Sequence, residues 1–390
     1  MNAEIFEQTL RSNILDYWMT RMPDELHGGF YGQITGRDQL VPDADKGVIL
    51  NTRLLWTFSA AHRMLGDIRY KEMATRAFDY LLDYFVDDEY HGVYWLVDHK
   101  GQPVDSKKQI YAQAFAIYGL SEYYRTTEDD RSLRLAKVLF HLIETYSLDL
   151  LTGGYVEALT RDWQTLDDVR LSNKDLNAAK TMNTHLHILE AYTNLYRVWK
   201  DAVLAEKLKG LIELMIERFI TDDWNFNLFF DAHWQLLSSE ISYGHDIEGS
   251  WLLYEAAEVL DDSDLLYKTR VVSIQMANSA LSGLDTDGGV MNEGNSKGVI
   301  DTDKHWWPQA EALVGFLNAW QLTGSKAYYL HASKTWKFIQ ENLIDKESGE
   351  WHWKVSQSGE IDYNEDKAGP WKCPYHNGRA MMEAMVRLKG

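Results

Sequence analysis

Six short segments of this 390-residue chain concentrate side chains that move protons or hold charge. They read KGVILNTRLLW with Arg53, KKQIYAQAFAIYGL with Tyr111, and KTMNTHLHILEAY with Asn183 and His187. The other three are SYGHDIEGSWLL with His245 and Glu248, KHWWPQAEALVGF with Trp306, Trp307 and Glu311, and GPWKCPYHNGRA with Trp371, Tyr375 and His376. Asn183 and His187, His245 and Glu248, and Trp307 and Glu311 are each spaced by three or four residues, which places both members on one helix face. Histidine titrates at about 6.5, so it can take or give a proton at cellular pH. An unpaired arginine in a core is costly, so Arg53 inside an apolar run reads as a working group. Tyr111 and Trp307 read equally well as packing. His185 points to a different face from His187 and reads as structural, and His62, His141 and His331 read as ordinary.

The elements that would bring these groups together repeat along the chain. HGGFYGQIT, HGVYWLVDHKG, TGGYVEALT, WNFNLFFDAHWQ, DGGVMNEGN and GEWHWKVSQSG recur at roughly 60- to 70-residue intervals, the signature of a repeat architecture. Glycine followed by alternating apolar residues and a polar turn predicts a short β-hairpin. The fourth copy lacks the glycine pair. Between them, helical periods predict twelve helices near 4–22, 47–65, 68–86, 107–126, 128–147, 177–200, 201–220, 245–261, 263–282, 304–323, 325–344 and 375–389. Short turns such as LGDI, TTED and TGSK alternate with the long hairpin-bearing loops. Short turns force antiparallel neighbours, so all six long loops must share one end. The expected fold is all-α: a single-domain (α/α)6 barrel over 1–390, with β-hairpins on one rim. An open solenoid is the alternative. Each even helix then starts at the long-loop rim, and its first turn faces one mouth.

Composition limits the partners. Net charge is −20, which leaves no basic footprint for nucleic acid or an anionic membrane surface. Aromatics make up 13%, with 15 Trp and 22 Tyr, enough for a ring-stacking surface as well as a core. Cys373 is the lone cysteine, so no internal disulfide forms. The amino-terminal stretch lacks a signal-peptide pattern and no run matches a membrane span, which together predict a cytoplasmic protein. No phosphate loop, dinucleotide fingerprint or nucleophile elbow appears. No histidine pair on the candidate faces has zinc-ligand spacing, and Arg53 would oppose a cation, so no metal and no cofactor are expected.

The motifs ADKGVILNTRLLW, KTMNTHLHILEAY, SYGHDIEGSWLL, HWWPQAEALVGF and GPWKCPYHNGR, spread from end to end, resemble the N-acylglucosamine 2-epimerase superfamily and its disaccharide-epimerising branch. The resemblance implies an (α/α)6 barrel and cofactor-free epimerisation at C2 of the reducing-end sugar of β-1,4-linked disaccharides. It also implies a catalytic set of Arg53, His187, His245 and His376, with Glu248 orienting His245. Tyr111, Asn183, Trp306, Trp307, Glu311 and Trp371 would contact the sugar, and Asp175 matches a loop acid ahead of the sixth helix. A monomer is expected.

The chemistry fits the residue types. Once the ring opens, the C1 aldehyde acidifies the C2 proton; a base removes it to give a cis-enediolate, and an acid returns a proton to the other face. His245 and His376 are the acid/base candidates, with Arg53 as fixed charge beside O1 and O2. The alternatives are a mannose or N-acylglucosamine 2-epimerase, an inverting glycoside hydrolase using Glu248 with Glu311 or Asp246, and a sugar-binding protein without catalysis.

Overall fold

Five short turns join the helices in pairs, and four of them are written alike. The first helix of each of these pairs ends on a left-handed residue: Gly66, Glu128, Asp261 or Gly324, with φ of 73°, 57°, 60° and 70°. In three of these turns the next residue, Asp67, Asp129 or Asp262, accepts a hydrogen bond from a first-turn backbone N–H of the partner helix, and Asp201 does the same in the fifth turn, after a helix that ends on extended Trp199. In a computed structural model, which describes residues 1–389, these signals delimit twelve helices. They are α1 (3–21), α2 (Val48–Leu65), α3 (68–85), α4 (Ile110–Thr127), α5 (Asp130–Tyr146) and α6 (Met182–Val198), then α7 (202–219), α8 (Tyr243–Leu260), α9 (263–283), α10 (Trp306–Thr323), α11 (326–343) and α12 (Tyr375–Arg387). A π-helical turn closes α3, α7 and α11 and interrupts α1.

The even helices form an inner ring. Each packs against the even helix before and after it, and α12 packs against both α10 and α2, so the ring is closed. The odd helices lie outside, with α1 against α12. An inner helix has neighbours on every side, which is why α2 is buried without a break from Val48 to Ala61. Close approach sets some residues outright: a Cβ on Gly119 of α4 would lie 2.7 Å from the Thr52 carbonyl oxygen of α2. This is the (α/α)6 barrel, and the open solenoid does not occur.

The expected hairpins are present, and they do more than expected. Two-residue strands precede five inner helices, at Lys46–Gly47, Lys108–Gln109, Lys180–Thr181, Ile241–Ser242 and Lys304–His305. Each pairs antiparallel with a strand in the following long loop, Leu96–Val97, Ala158–Leu159, Phe229–Phe230, Glu293–Asn295 and Lys354–Val355 in turn. The sixth link, Ile34 with Ala368, joins the first loop to the last. The rim is therefore laced all the way round. In the fourth loop, where glycine is missing, Trp224 itself adopts φ 66°.

Ion pairs through buried lysines pin five of the six loops at the rim: Lys46 to Asp24 at 2.7 Å, Lys108 to Asp87, Lys180 to Asp149 and Lys304 to Asp285 at 2.8 Å, and Lys367 to Asp345. One turn into four inner helices a polar side chain satisfies the same loop backbone. Gln113 bonds both backbone groups of Val93, and Gln309 those of Val290. His185 accepts from the Tyr155 N–H and Asp246 from the Phe226 N–H. His185 is thus structural, as its helix face implies. The same role removes Asp246 from catalysis. One boundary differs: α6 starts at Met182 rather than near 177, because the Lys180–Thr181 backbone is committed to its strand pair and Thr181 caps the helix. Among the described residues no helix is long and apolar enough to cross a membrane.

Candidate active site

The first turns of the inner helices enclose a cavity of 200 Å³ at the laced rim. Arg53, Tyr111, Asn183, His187, His245, Glu248, Trp306, Trp307, Trp371 and His376 line it, together with Trp353, which sequence reasoning missed. Their helix N-termini all point the same way, so the backbone adds positive potential at the cavity. A wider groove of 570 Å³ shares Asn183, His245 and Trp307 with the cavity and continues outward past Asp175 and His305. Asp175 therefore belongs to the groove rather than the inner cavity, where it accepts from the Ser172 N–H and hydroxyl.

Three histidines are tied through Nδ1, which leaves Nε2 as the nitrogen for chemistry. His245 Nδ1 lies 2.7 Å from the Ser242 hydroxyl, His187 Nδ1 2.9 Å from Glu190, and His376 Nδ1 2.7 Å from Glu311. The Trp307 ring packs against both His245 and His376, with centroids 4.6 and 5.7 Å away. Gly244 makes room for it, since a Cβ there would fall 2.5 Å from the indole. Arg53 donates to the Tyr111 hydroxyl at 2.7 Å and lies over the Phe115 and Tyr375 rings at 4.2 and 4.7 Å. Its Nε has no partner. The Asn183 side-chain oxygen is likewise buried and unpartnered. Trp371 stands beside Trp95 and Tyr111 at 5.7 and 5.9 Å. Trp306 packs on Trp353 at 4.6 Å.

Two roles inferred from the motifs need correction. Glu248 does not orient His245, whose Nδ1 is taken by Ser242. It accepts from Arg379 at 2.7 Å and lies 3.9 Å from His376. One helical turn separates Glu248 from His245 in sequence, but its side chain reaches inward to the barrel axis. Glu311 is fully buried and off the cavity wall, held by Arg379, Trp251 and His376. Its carboxyl group meets His376 and does not reach the cavity wall. Besides Trp353, the missed residues are Glu190, Arg379 and Ser242. Glu190 stands three after His187 within the quoted motif, so the pairing was available from helical spacing.

Burial dominates the electrostatics. It pushes His245 down to about 3. His187 also falls below the usual histidine range, the Glu190 hydrogen bond opposing part of the effect. Burial, with the charges of Arg53 and Arg379, pushes His376 well below that range. All three rings are therefore neutral at pH 7, the form a base needs. Burial alone would raise Glu190, but Arg379 and His187 hold it at about 2. Burial and the charge of Glu311 push Glu248 far up. Glu311 also rises through burial, despite Arg379. Each of these two carboxylates disfavours ionisation of the other.

Ligand atoms of Glu248, Glu311 and His376 come within 4.8 Å of one another, a grouping that could suit a cation. The Arg379 guanidinium already bridges both carboxylates and supplies that charge. The same closeness falls short of the ~6.5–9.5 Å that inverting glycoside hydrolysis requires. Neither carboxylate stands across the cavity from the other.

The family model for N-acylglucosamine 2-epimerase (GlcNAc 2-epimerase) matches residues 29–380. A cellobiose 2-epimerase of Bacteroides fragilis is 52% identical over 381 residues, covering 97% of each chain. One from Ruminococcus albus is 40% identical over 389 residues, covering 99% of each. The solved structure of cellobiose 2-epimerase from Bacillus thermoamylovorans B4167 matches with TM-score 0.95 and 40% identity over 99% of both chains. A family 76 glycoside hydrolase matches with TM-score 0.68 at 12% identity, over 100% of this chain and 78% of its own, a likeness of fold alone. The chain belongs to the N-acylglucosamine 2-epimerase family of carbohydrate epimerases and isomerases.

Proposed function

We propose that this protein epimerises the reducing-end glucose of β-1,4-linked disaccharides at C2, turning cellobiose into glucosylmannose and lactose into epilactose. The observation that carries the reading is a pair of neutral histidines, His245 and His376, both packed against Trp307 at a cavity whose fixed positive charge is Arg53. The substrate class rests on the relatives named cellobiose 2-epimerase, which match over nearly their whole length. It also rests on the stepped site: an inner cavity the size of one sugar ring that opens into a groove for the ring beyond.

In this reading the open-chain aldehyde lies beside Arg53, which stabilises the charge that develops on O1 and O2. One histidine takes the C2 proton through Nε2, and the other returns a proton to the opposite face. Tyr111 fixes the Arg53 fork, and the tryptophans offer faces to the apolar sides of the pyranose. His187 completes the wall beside Tyr111, 5.0 Å between ring centroids. No cofactor takes part.

The test is incubation with cellobiose in heavy water. Glucosylmannose carrying deuterium at C2 is the expected product. Hydrolysis to glucose, no reaction, or epimer that keeps its original C2 hydrogen would each overturn a stated part of the proposal. Parallel assays on glucose and N-acetylglucosamine separate a disaccharide enzyme from the monosaccharide members of the family.

A further inference from the structure

We infer that Arg379, which does not line the sugar cavity, is a positioning residue that yokes His187 and His376 into one charge-coupled unit. The inference rests on the epimerase reading and extends it to a residue outside the cavity. The path is continuous. His187 Nδ1 meets Glu190, Glu190 meets one arm of the Arg379 guanidinium, the other arm meets Glu311 at 2.8 Å, and Glu311 meets His376 Nδ1 at 2.7 Å. The second arm also reaches Glu248 at 2.7 Å. Every member is at least nine-tenths buried, so water does not screen the links. Tyr375 adds a third contact, its hydroxyl bonding both Glu190 and Arg379.

The arrangement has two sides. Each histidine is held by one carboxylate, and one guanidinium holds both carboxylates. A planar fork with fixed donors can do this; an ammonium cannot meet three carboxylates in the same geometry. Glu190, Glu248 and Glu311 all meet the one Arg379 guanidinium, so their charges act on each other across it. A change at the His187 end must therefore be felt at His376. The charged and titratable groups facing His376 are Glu311 and Glu248 from α10 and α8, Arg53 from α2, His187 and Glu190 from α6, and Arg379 of its own helix.

Arg379 is also reachable from behind. At the end of the barrel opposite the sugar cavity, a second cavity of 240 Å³ is lined by Arg379 and Glu190 with Trp251, Glu255 and Arg125. Arg379 thus lies between the rear cavity and the carboxylates that hold His187 and His376, and its Nε has no partner. That geometry permits chemical rescue: a free guanidinium ion could enter from the rear and replace a truncated Arg379.

The experiment compares wild type with Arg379→Lys, Arg379→Ala and Glu190→Gln, each first checked for a cooperative melt. Arg379→Lys should lose about 10²-fold in kcat, the scale of a misplaced catalytic group, while KM for cellobiose changes little. Arg379→Ala removes a positive charge, so the acidic limb of the kcat/KM profile should rise by about one pH unit. Glu190→Gln removes a negative charge on the far side, so the same limb should move down. Guanidinium chloride below denaturing concentrations should restore Arg379→Ala at least tenfold, and methylammonium should not.

The inference fails if folded Arg379→Lys retains wild-type kcat and pH profile, if both charge changes move the limb the same way, or if guanidinium gives no rescue. Loss of folding in all three variants would make Arg379 a strut of the core and sink it as well. An inactive wild type is a different outcome, because it overturns the epimerase reading itself.

Discussion

At the scale of single residues, two histidines can look alike in sequence and differ completely in environment. His245 is held by a neutral serine and His376 by the buried carboxyl group of Glu311. His376 is buried and His245 half-buried, both are neutral, and both pack against Trp307. If they divide the proton work, His245→Ala and His376→Ala should each lower kcat by about 10²- to 10⁴-fold and leave folding intact. The double variant should be little worse than the poorer single one, because groups acting as a unit are not additive. Steady-state kinetics alongside thermal melts decide this. Near-normal turnover in a folded His376→Ala would leave the mechanism without its second proton carrier. The residue types and their helical spacing carried most of this information. What they did not carry was partnership: Glu248 looks paired with His245 by register, yet the long side chain reaches the barrel axis and Arg379 instead. Register fixes which face a residue starts from, not which charge its end meets.

At the scale of elements, the repeat explains residues that chemistry leaves over. His185 occupies the place in α6 that Gln113 and Gln309 occupy in α4 and α10, each satisfying a loop N–H. His185→Gln should therefore keep the bond and leave stability at pH 7 within about 1 kcal/mol of wild type, the value of one hydrogen bond. Acid separates the two. Burial puts the His185 pKa at about 4 in the fold, against about 6.5 when unfolded. Its folded pKa is the lower one, so this part of the stability is present above pH 6.5 and is lost as pH falls toward 4. At pH 5 the glutamine variant should be more stable than wild type by about 2 kcal/mol relative to their difference at pH 7. Urea titrations at both pH values check it, and a pH-independent difference refutes it. The helices and their order were legible because αL residues and Asp caps mark the short turns and apolar periods mark the rest. The lacing between loops was not. Two-residue strands leave no alternating pattern, and their partners lie a repeat away in sequence.

At the scale of the whole molecule, closure distinguishes this fold from a stack of repeats. An open array loses one interface when its last unit is removed, and stability falls by roughly one repeat's share. Here α12 packs on α10, on α2 and on α1, and the Ile34–Ala368 bridge ties the loop before it to the first loop. Removing α12 opens the ring at two inner seams at once. It also strands Glu190, Glu248 and Glu311 in the core without Arg379, and breaking a buried charge network costs about 3–5 kcal/mol. The total is comparable with the whole stability of an ordinary domain, about 5–15 kcal/mol. A chain ending at Gly369 should therefore show no cooperative melt at all, rather than a melt shifted by a few degrees. Calorimetry on the purified truncation reads the difference. A cooperative transition close to that of the full chain would mean that the ring is held by its other five units and that the last helix serves the site alone.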